Sequence, residues 1–199
     1  MQKEIKPKIA VCVAGSGRSL ENLIGMQNQF YFQVAAVVSS SLTCKANSVA
    51  LKNKIPLIVA DFTTIERDDL EKKLQKFLTL RGVELVVLAG FLKKFPMMKQ
   101  YKNKIINIHP ALLPLHGGPG MYGLRVHEAV VSAQEKESGA TVHWVTPDYD
   151  EGSIISQKRL NLSANETAES LAKRVFAVEC ELLPKTIDEI LKNRVTITK

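Results

Sequence analysis

A chain of 199 residues, 45% of them hydrophobic, fits a single domain over residues 1–199 with a sizeable core, and no apolar run is long enough to span a membrane. The formal net charge of +7 favours anionic partners, either nucleic acid or a small phosphorylated molecule. The basic residues are dispersed, in groups such as Lys72-Lys73 and Lys93-Lys94 without interleaved aromatics, which argues against nucleic acid.

The charged start, Met1 to Lys8, lacks the apolar segment of a signal peptide. The β-branched run Lys8–Ala14 ends at Gly15 and predicts a buried strand. Leu20–Gln29 predicts a helix with Leu20, Leu23 and Ile24 on one face. A strand over Gln33–Ser39, a helix over Thr43–Lys54 and a short strand over Pro56–Ala60 follow. Ile65–Leu80 is helical by pattern, with Leu70, Leu74, Phe77 and Leu78 apolar. Glu84–Ala89 and Lys104–Ile108 predict apolar strands. Strands alternating with helices give an α/β fold with a mostly parallel central sheet, covered by helices on both faces. The last third is less regular. Leu124–Ala133 and Thr167–Glu181 predict helices, Thr141–Thr146 and Ile154–Leu160 strands. Pro184 is expected to break or start a helix that runs to about Lys192. Cys12, Cys44 and Cys180 are widely spaced. They suit a reducing cytoplasm and form neither a disulfide framework nor a metal-site spacing.

Three motifs are expected beyond the carboxyl ends of the strands, where open parallel sheets bind ligands. Gly15-Ser16-Gly17-Arg18-Ser19 follows the first strand; it reads either as a tight turn or as a phosphate loop at a helix N-terminus. Leu88-Ala89-Gly90-Phe91-Leu92-Lys93-Lys94-Phe95 reads as a strand-to-loop junction with core side chains. In Lys-Ile-Ile-Asn-Ile-His-Pro, Asn107 and His109 stand at i and i+2, so both point to one side of a strand end. Histidine moves protons near neutral pH, and an asparagine amide donates to an oxygen gaining charge. Asp150 lies in Pro147-Asp148-Tyr149-Asp150-Glu151-Gly152, which is also turn chemistry. Of the other histidines, His143 alternates with Val142 and Trp144 and can line the same pocket. His127 falls in a helix with a surface or packing role, and His116 in a Gly-rich loop that can close over a substrate. Their spacing matches no common metal-ligand pattern.

Asn-Ile-His-Pro-Ala-Leu-Leu-Pro, followed by Gly-Ala-Thr-Val-His-Trp-Val-Thr and by Asp150 with Gly152, closely resembles the formyltransferase family that uses 10-formyltetrahydrofolate. The resemblance runs from about Lys8 to about Arg194. It implies a Rossmann-like single domain. The length and N-terminal loop are similar to those of members that formylate 5-phosphoribosylglycinamide in purine synthesis. By this resemblance Gly17, Arg18 and Ser19 hold the ribonucleotide phosphate. Glu179, otherwise an ordinary helical glutamate, stands near the glycinamide amine. Leu92 and Phe95 pack against the pteridine, with Lys93 and Lys94 at its edge. Arg67 contacts the folate side, although Glu66-Arg67-Asp68-Asp69 also reads as a solvated helix start. Asn107 donates to the oxyanion, His109 handles the proton, and Asp150 raises the His109 pKa and orients its ring. The chemistry calls for no metal. The family's tRNA-formylating and folate-hydrolysing members carry additional C-terminal or N-terminal domains, which are not expected here. A nucleotide-binding module using only the glycine loop leaves Asn107, His109 and Asp150 unexplained. Partners are then small molecules, with the chain a monomer or a homodimer.

Overall fold

The computed structural model describes residues 5–60 and 62–193. The first four residues and Arg194, where the family string ends, lie outside them. The strands are β1 (Lys8–Val13), β2 (Gln33–Ser39), β3 (Leu57–Val59), β4 (Val83–Ala89), β5 (Ile105–His109), β6 (Glu137–Trp144) and β7 (Ile154–Asn161). The helices are α1 (Arg18–Met26), α2 (Ala46–Lys52), α3 (Arg67–Thr79), α4 (Leu124–Ser132) and α5 (Ala168–Asn193), with a 3₁₀ turn at Lys99–Tyr101. The strands form one sheet in the order β3-β2-β1-β4-β5-β6-β7. The first five run parallel, whereas β6 is antiparallel to β5 and β7 to β6. This is the expected α/β, mostly parallel, Rossmann-like architecture.

Because β1 pairs with β2 and β4 along both edges and packs in a core on each face, its sequence is continuously apolar. Ile9, Val11 and Val13 pack in one core with Leu20 and Leu23 of α1 and Leu171, Val175 and Leu183 of α5. Ala10 and Cys12 point the other way, into a second core with Val86, Leu88 and the α3 stripe Leu70, Leu74 and Leu78. That stripe repeats every fourth residue, which keeps it on one face of α3.

Two expectations fail in the last third. Strand β6 starts earlier than Thr141, because Glu137–Ala140 pair with Lys158–Asn161 of β7. Pro184 neither breaks nor starts a helix; it is buried inside α5, which runs unbroken from Ala168 to Asn193. A proline in a helix leaves the carbonyl four residues earlier without its donor. Here that carbonyl belongs to Cys180, and the Asn22 side chain of α1 donates to it at 2.9 Å. A tertiary contact supplies the missing hydrogen bond, and the helix continues.

From β1 the chain passes through α1 to β2 on one side, while β4 leads to β5 on the other. The strand order therefore reverses between β1 and β4, and the crevice beyond their carboxyl ends is where such sheets hold ligands.

Candidate active site

A cavity of about 870 Å³ occupies this edge. All twelve expected site residues line it: Gly17, Arg18, Ser19, Arg67, Leu92, Lys93, Lys94, Phe95, Asn107, His109, Asp150 and Glu179.

Gly17 ends the first loop at φ +84, the left-handed region that glycine occupies freely. It precedes α1, and among the described residues no side chain caps that helix. The first-turn N–H groups are therefore without an intrahelical or side-chain cap, as an anion site needs. A Cβ at Gly17 would lie 2.8 Å from Ala46 Cα, so the glycine is also needed for α1 to approach α2. A side chain at this position would therefore collide with α2. Arg18 stacks on the Phe176 ring at 4.2 Å and stands close enough to Glu179 to act on its charge. Glu179 is half-buried on the cavity wall. Burial lifts its carboxyl to about 7, against the opposing pull of Arg18.

The second motif forms the opposite wall. Phe95 is buried and packs edge-on against Phe91, with ring centroids 5.9 Å apart, while Leu92 is largely exposed. Lys94 Nζ lies 5.2 Å from the Tyr149 ring centroid, and Arg67 opens α3 at the rim.

At the centre, β5 delivers Asn107 and His109 to the same side, as the period of two requires. Asp150 comes from the loop between β6 and β7, at φ +59, a conformation aspartate tolerates better than most residues. Gly152 lets this loop fold back on β6, because a Cβ there would overlap the Trp144 carbonyl. Asp150 Oδ2 lies 3.5 Å from His109 Nδ1 and accepts the Gly118 N–H at 2.9 Å. Asn107 Nδ2 reaches Asp150 Oδ1 at 3.4 Å and His143 Nε2 at 3.0 Å. His109 Nε2 lies 2.8 Å from the His116 carbonyl. A carbonyl only accepts, so this network assigns the proton of neutral His109 to Nε2 and leaves the Nδ1 lone pair towards Asp150.

Asp150 acts to raise the His109 pKa, as expected, but it does not set the net direction. Burial lowers the His109 pKa below its ordinary value, and the raising effect of Asp150 does not overcome it. Burial alone would raise the Asp150 pKa. The contact with His143, the charge of His109 and the Gly118 N–H together hold it below the usual carboxylate value. The centre is a carboxylate facing a histidine that burial keeps neutral to lower pH than usual.

His143 sits directly opposite Asn107 across the antiparallel β5–β6 pair, which is why it joins the site as a hydrogen-bonding member. Of the two expected roles, His127 takes packing and not the surface: it is buried on α4, lines the cavity, and its Nδ1 has no hydrogen-bond partner among the described residues. The carbonyl of His116 and the N–H of Gly118 carried no sequence signal, because backbone groups are supplied by any residue. Among the described residues no group of three or more His, Cys, Asp or Glu is arranged to hold a metal ion.

Residues 7–187 match the family model described as formyl transferase. The chain is 35% identical over 196 residues to the chloroplastic phosphoribosylglycinamide formyltransferase of Arabidopsis thaliana, covering 96% of this chain and 67% of that protein. It is 34% identical to the Vigna unguiculata protein of the same name, covering 98% of this chain and 64% of the other. It therefore spans about two thirds of the length of these relatives. Its fold superposes on the phosphoribosylglycinamide formyltransferase of Coxiella burnetii with a TM-score of 0.89 at 32% identity, covering 98% and 92% of the two chains. A glycinamide ribonucleotide transformylase from Symbiobacterium toebii gives 0.86 at 30% identity, covering 97% and 91%. With the site and nearly the whole chain accounted for, this protein belongs to the formyl transferase family.

Proposed function

We propose that the chain transfers a formyl group from 10-formyltetrahydrofolate to the amine of 5-phosphoribosylglycinamide, a step of de novo purine (IMP) biosynthesis. The observation that carries this reading is the meeting of Asn107, His109 and Asp150 in one cavity that also holds an uncapped helix N-terminus. The family match and the printed names of the relatives support the same reaction.

The amine attacks the formyl carbon, the bond from that carbon to the folate nitrogen breaks, and a proton passes from the amine to the departing nitrogen. His109 is suited to take that proton first, because burial keeps it neutral and its Nδ1 lone pair is free of a donor. The imidazolium so formed faces Asp150, which stabilises it. Asn107 supplies the oxyanion donor; its 3.4 Å contact to Asp150 is the longer of its two, and the one an oxyanion replaces most easily. Gly17, Arg18 and Ser19 hold the phosphate through backbone N–H groups and the guanidinium. Glu179 attracts the substrate amine. Leu92, Lys93, Lys94 and Phe95 form the folate wall, with Arg67 towards its carboxylates, and the positive chain suits a polyglutamylated tail. No step calls for a metal.

Residues 1–199 then act as one formyltransferase domain, a reading supported by the single sheet of β1–β7 and by the family match over residues 7–187. Among the described residues no helix is long and apolar enough to cross a membrane. With Cys12, Cys44 and Cys180 all free, a reducing cytoplasm is the compartment we propose, as a monomer or homodimer. Isothermal titration with a non-reactive 10-formyltetrahydrofolate analogue and with phosphoribosylglycinamide tests the reading. Each should bind alone to a separate part of the cavity. Ribonucleotide binding without any folate binding would leave only a nucleotide-binding module.

A further inference from the structure

We infer that His116 is a positioning residue for His109, and that its side-chain pair with Glu135 fixes the backbone carbonyl that holds the His109 ring. The inference rests on the role of His109 proposed above.

His116 does two things at once. Its carbonyl stands 2.8 Å from His109 Nε2, and its own Nε2 lies 3.0 Å from Glu135 Oε1. It does so at φ +54, a left-handed backbone that an L residue keeps only when its surroundings hold it. The segment before it is pinned. The Thr141 hydroxyl donates to the Ala111 carbonyl and accepts the Leu113 N–H, and Gln157 donates to the Leu113 carbonyl. Beyond it, Gly118 is tied to Asp150. Between these points the His116 side chain anchors the loop to Glu135. Glu135 is itself held, because its N–H bonds the Val130 carbonyl at the end of α4.

The consequence falls on one ring. The His116 carbonyl assigns the proton of neutral His109 to Nε2 and turns Nδ1 to Asp150, 3.5 Å away. A carbonyl that drifts frees the ring to turn and to exchange tautomers. His116 does not line the large cavity; its side chain borders a separate one of about 220 Å³ behind the loop. Loss of the anchor should therefore slow the chemistry and leave substrate binding intact.

The test uses three variants of the whole chain. His116→Gly keeps the left-handed backbone and removes the anchor. Glu135→Ala removes it from the other side. His116→Gln keeps an N–H donor of similar reach. We expect kcat to fall about 10- to 100-fold in the first two, as misplacement of a reacting group does. Both Michaelis constants should hold, and His116→Gln should recover most of the rate. The double variant His116→Gly/Glu135→Ala should be no slower than the slower single, since both remove one contact. In nitrogen NMR, His109 should lose its fixed Nε2–H signature in His116→Gly and Glu135→Ala. Unchanged kcat, or raised Michaelis constants with kcat intact, overturns the inference. So does an unchanged His109 signal. If His116→Gly does not fold, Glu135→Ala decides by the same readouts. His109→Ala, run alongside, separates the two claims. An inactive His109→Ala with a fully active Glu135→Ala removes the anchor alone. A His109→Ala at wild-type turnover removes the role of His109 and the anchor with it.

Discussion

His109 and Asp150 oppose each other's ordinary behaviour, and the size of each effect decides what the pair can do. Burial dominates at His109 and lowers its pKa; Asp150 only limits the drop. Replacing Asp150 by Asn removes a negative charge that raises it, so the His109 pKa should fall further, and kcat with it. NMR titration of His109 in both forms checks the sign; an equal or higher pKa in Asp150→Asn contradicts it. For the wild type, the acid limb of kcat should lie below the ordinary histidine value of 6.5, because His109 must be neutral to accept a proton. Loss of ribonucleotide affinity should set in higher, near 7, where Glu179 begins to gain its proton. Asn107→Ala should cost about 2.7–4 kcal/mol of barrier, the usual loss for one oxyanion donor, with circular dichroism unchanged. These residues were legible in the sequence because Asn107 and His109 stand at i and i+2 on one strand and all three sit in the family string. His143 was only half legible, since its partner is set by the β5–β6 register, which no local pattern carries. The net direction of the His109 shift was not legible at all, because burial is a property of the assembled fold.

At the scale of the element, α5 depends on its neighbour α1 through one hydrogen bond, from Asn22 to the Cys180 carbonyl. Asn22→Ala leaves the Cys180 carbonyl without the donor that Pro184 cannot provide, and should cost about 1–3 kcal/mol. Pro184→Ala in the same background should recover much of that loss, because an alanine N–H at 184 restores the helical bond. Urea unfolding of both singles and the double measures the coupling; strictly additive losses would refute it. The pattern of alternating strands and helices was readable through β5, where each element has its own apolar period. It weakened after Leu124. There β6 and β7 run antiparallel at the sheet edge, and Gly139 sits in a strand because the Lys158 carbonyl passes too close for a Cβ. Pro184 misled for the same reason: its compensation comes from α1, far away in sequence.

At the scale of the whole molecule, the buried titratable groups make stability depend on pH in two opposed ways. His109 and His127 have folded pKa values below the ordinary 6.5, so the unfolded chain binds more protons and stability is lost as pH falls through that value. Asp150, held low in the fold, adds a further loss at still lower pH. Glu179 acts oppositely: its folded value of about 7 exceeds the ordinary 4.5, so its contribution is full below 4.5 and lost as pH rises through 7. Glu179→Gln should therefore be more stable than wild type at pH 8, by up to about 3 kcal/mol, and the gain should vanish by pH 4.5. Denaturant unfolding at both values checks it. The positive chain, the uncapped α1 terminus and the Asn107, His109 and Asp150 centre converge on a cavity for two anionic substrates. The most direct measurement of that claim follows tetrahydrofolate release from 10-formyltetrahydrofolate, with and without phosphoribosylglycinamide, for wild type and His109→Ala. We expect release by the wild type only when the ribonucleotide is present, with a formylated amine in equal yield, and little release by folded His109→Ala. Equal release without the ribonucleotide, or wild-type release by His109→Ala, would contradict the account.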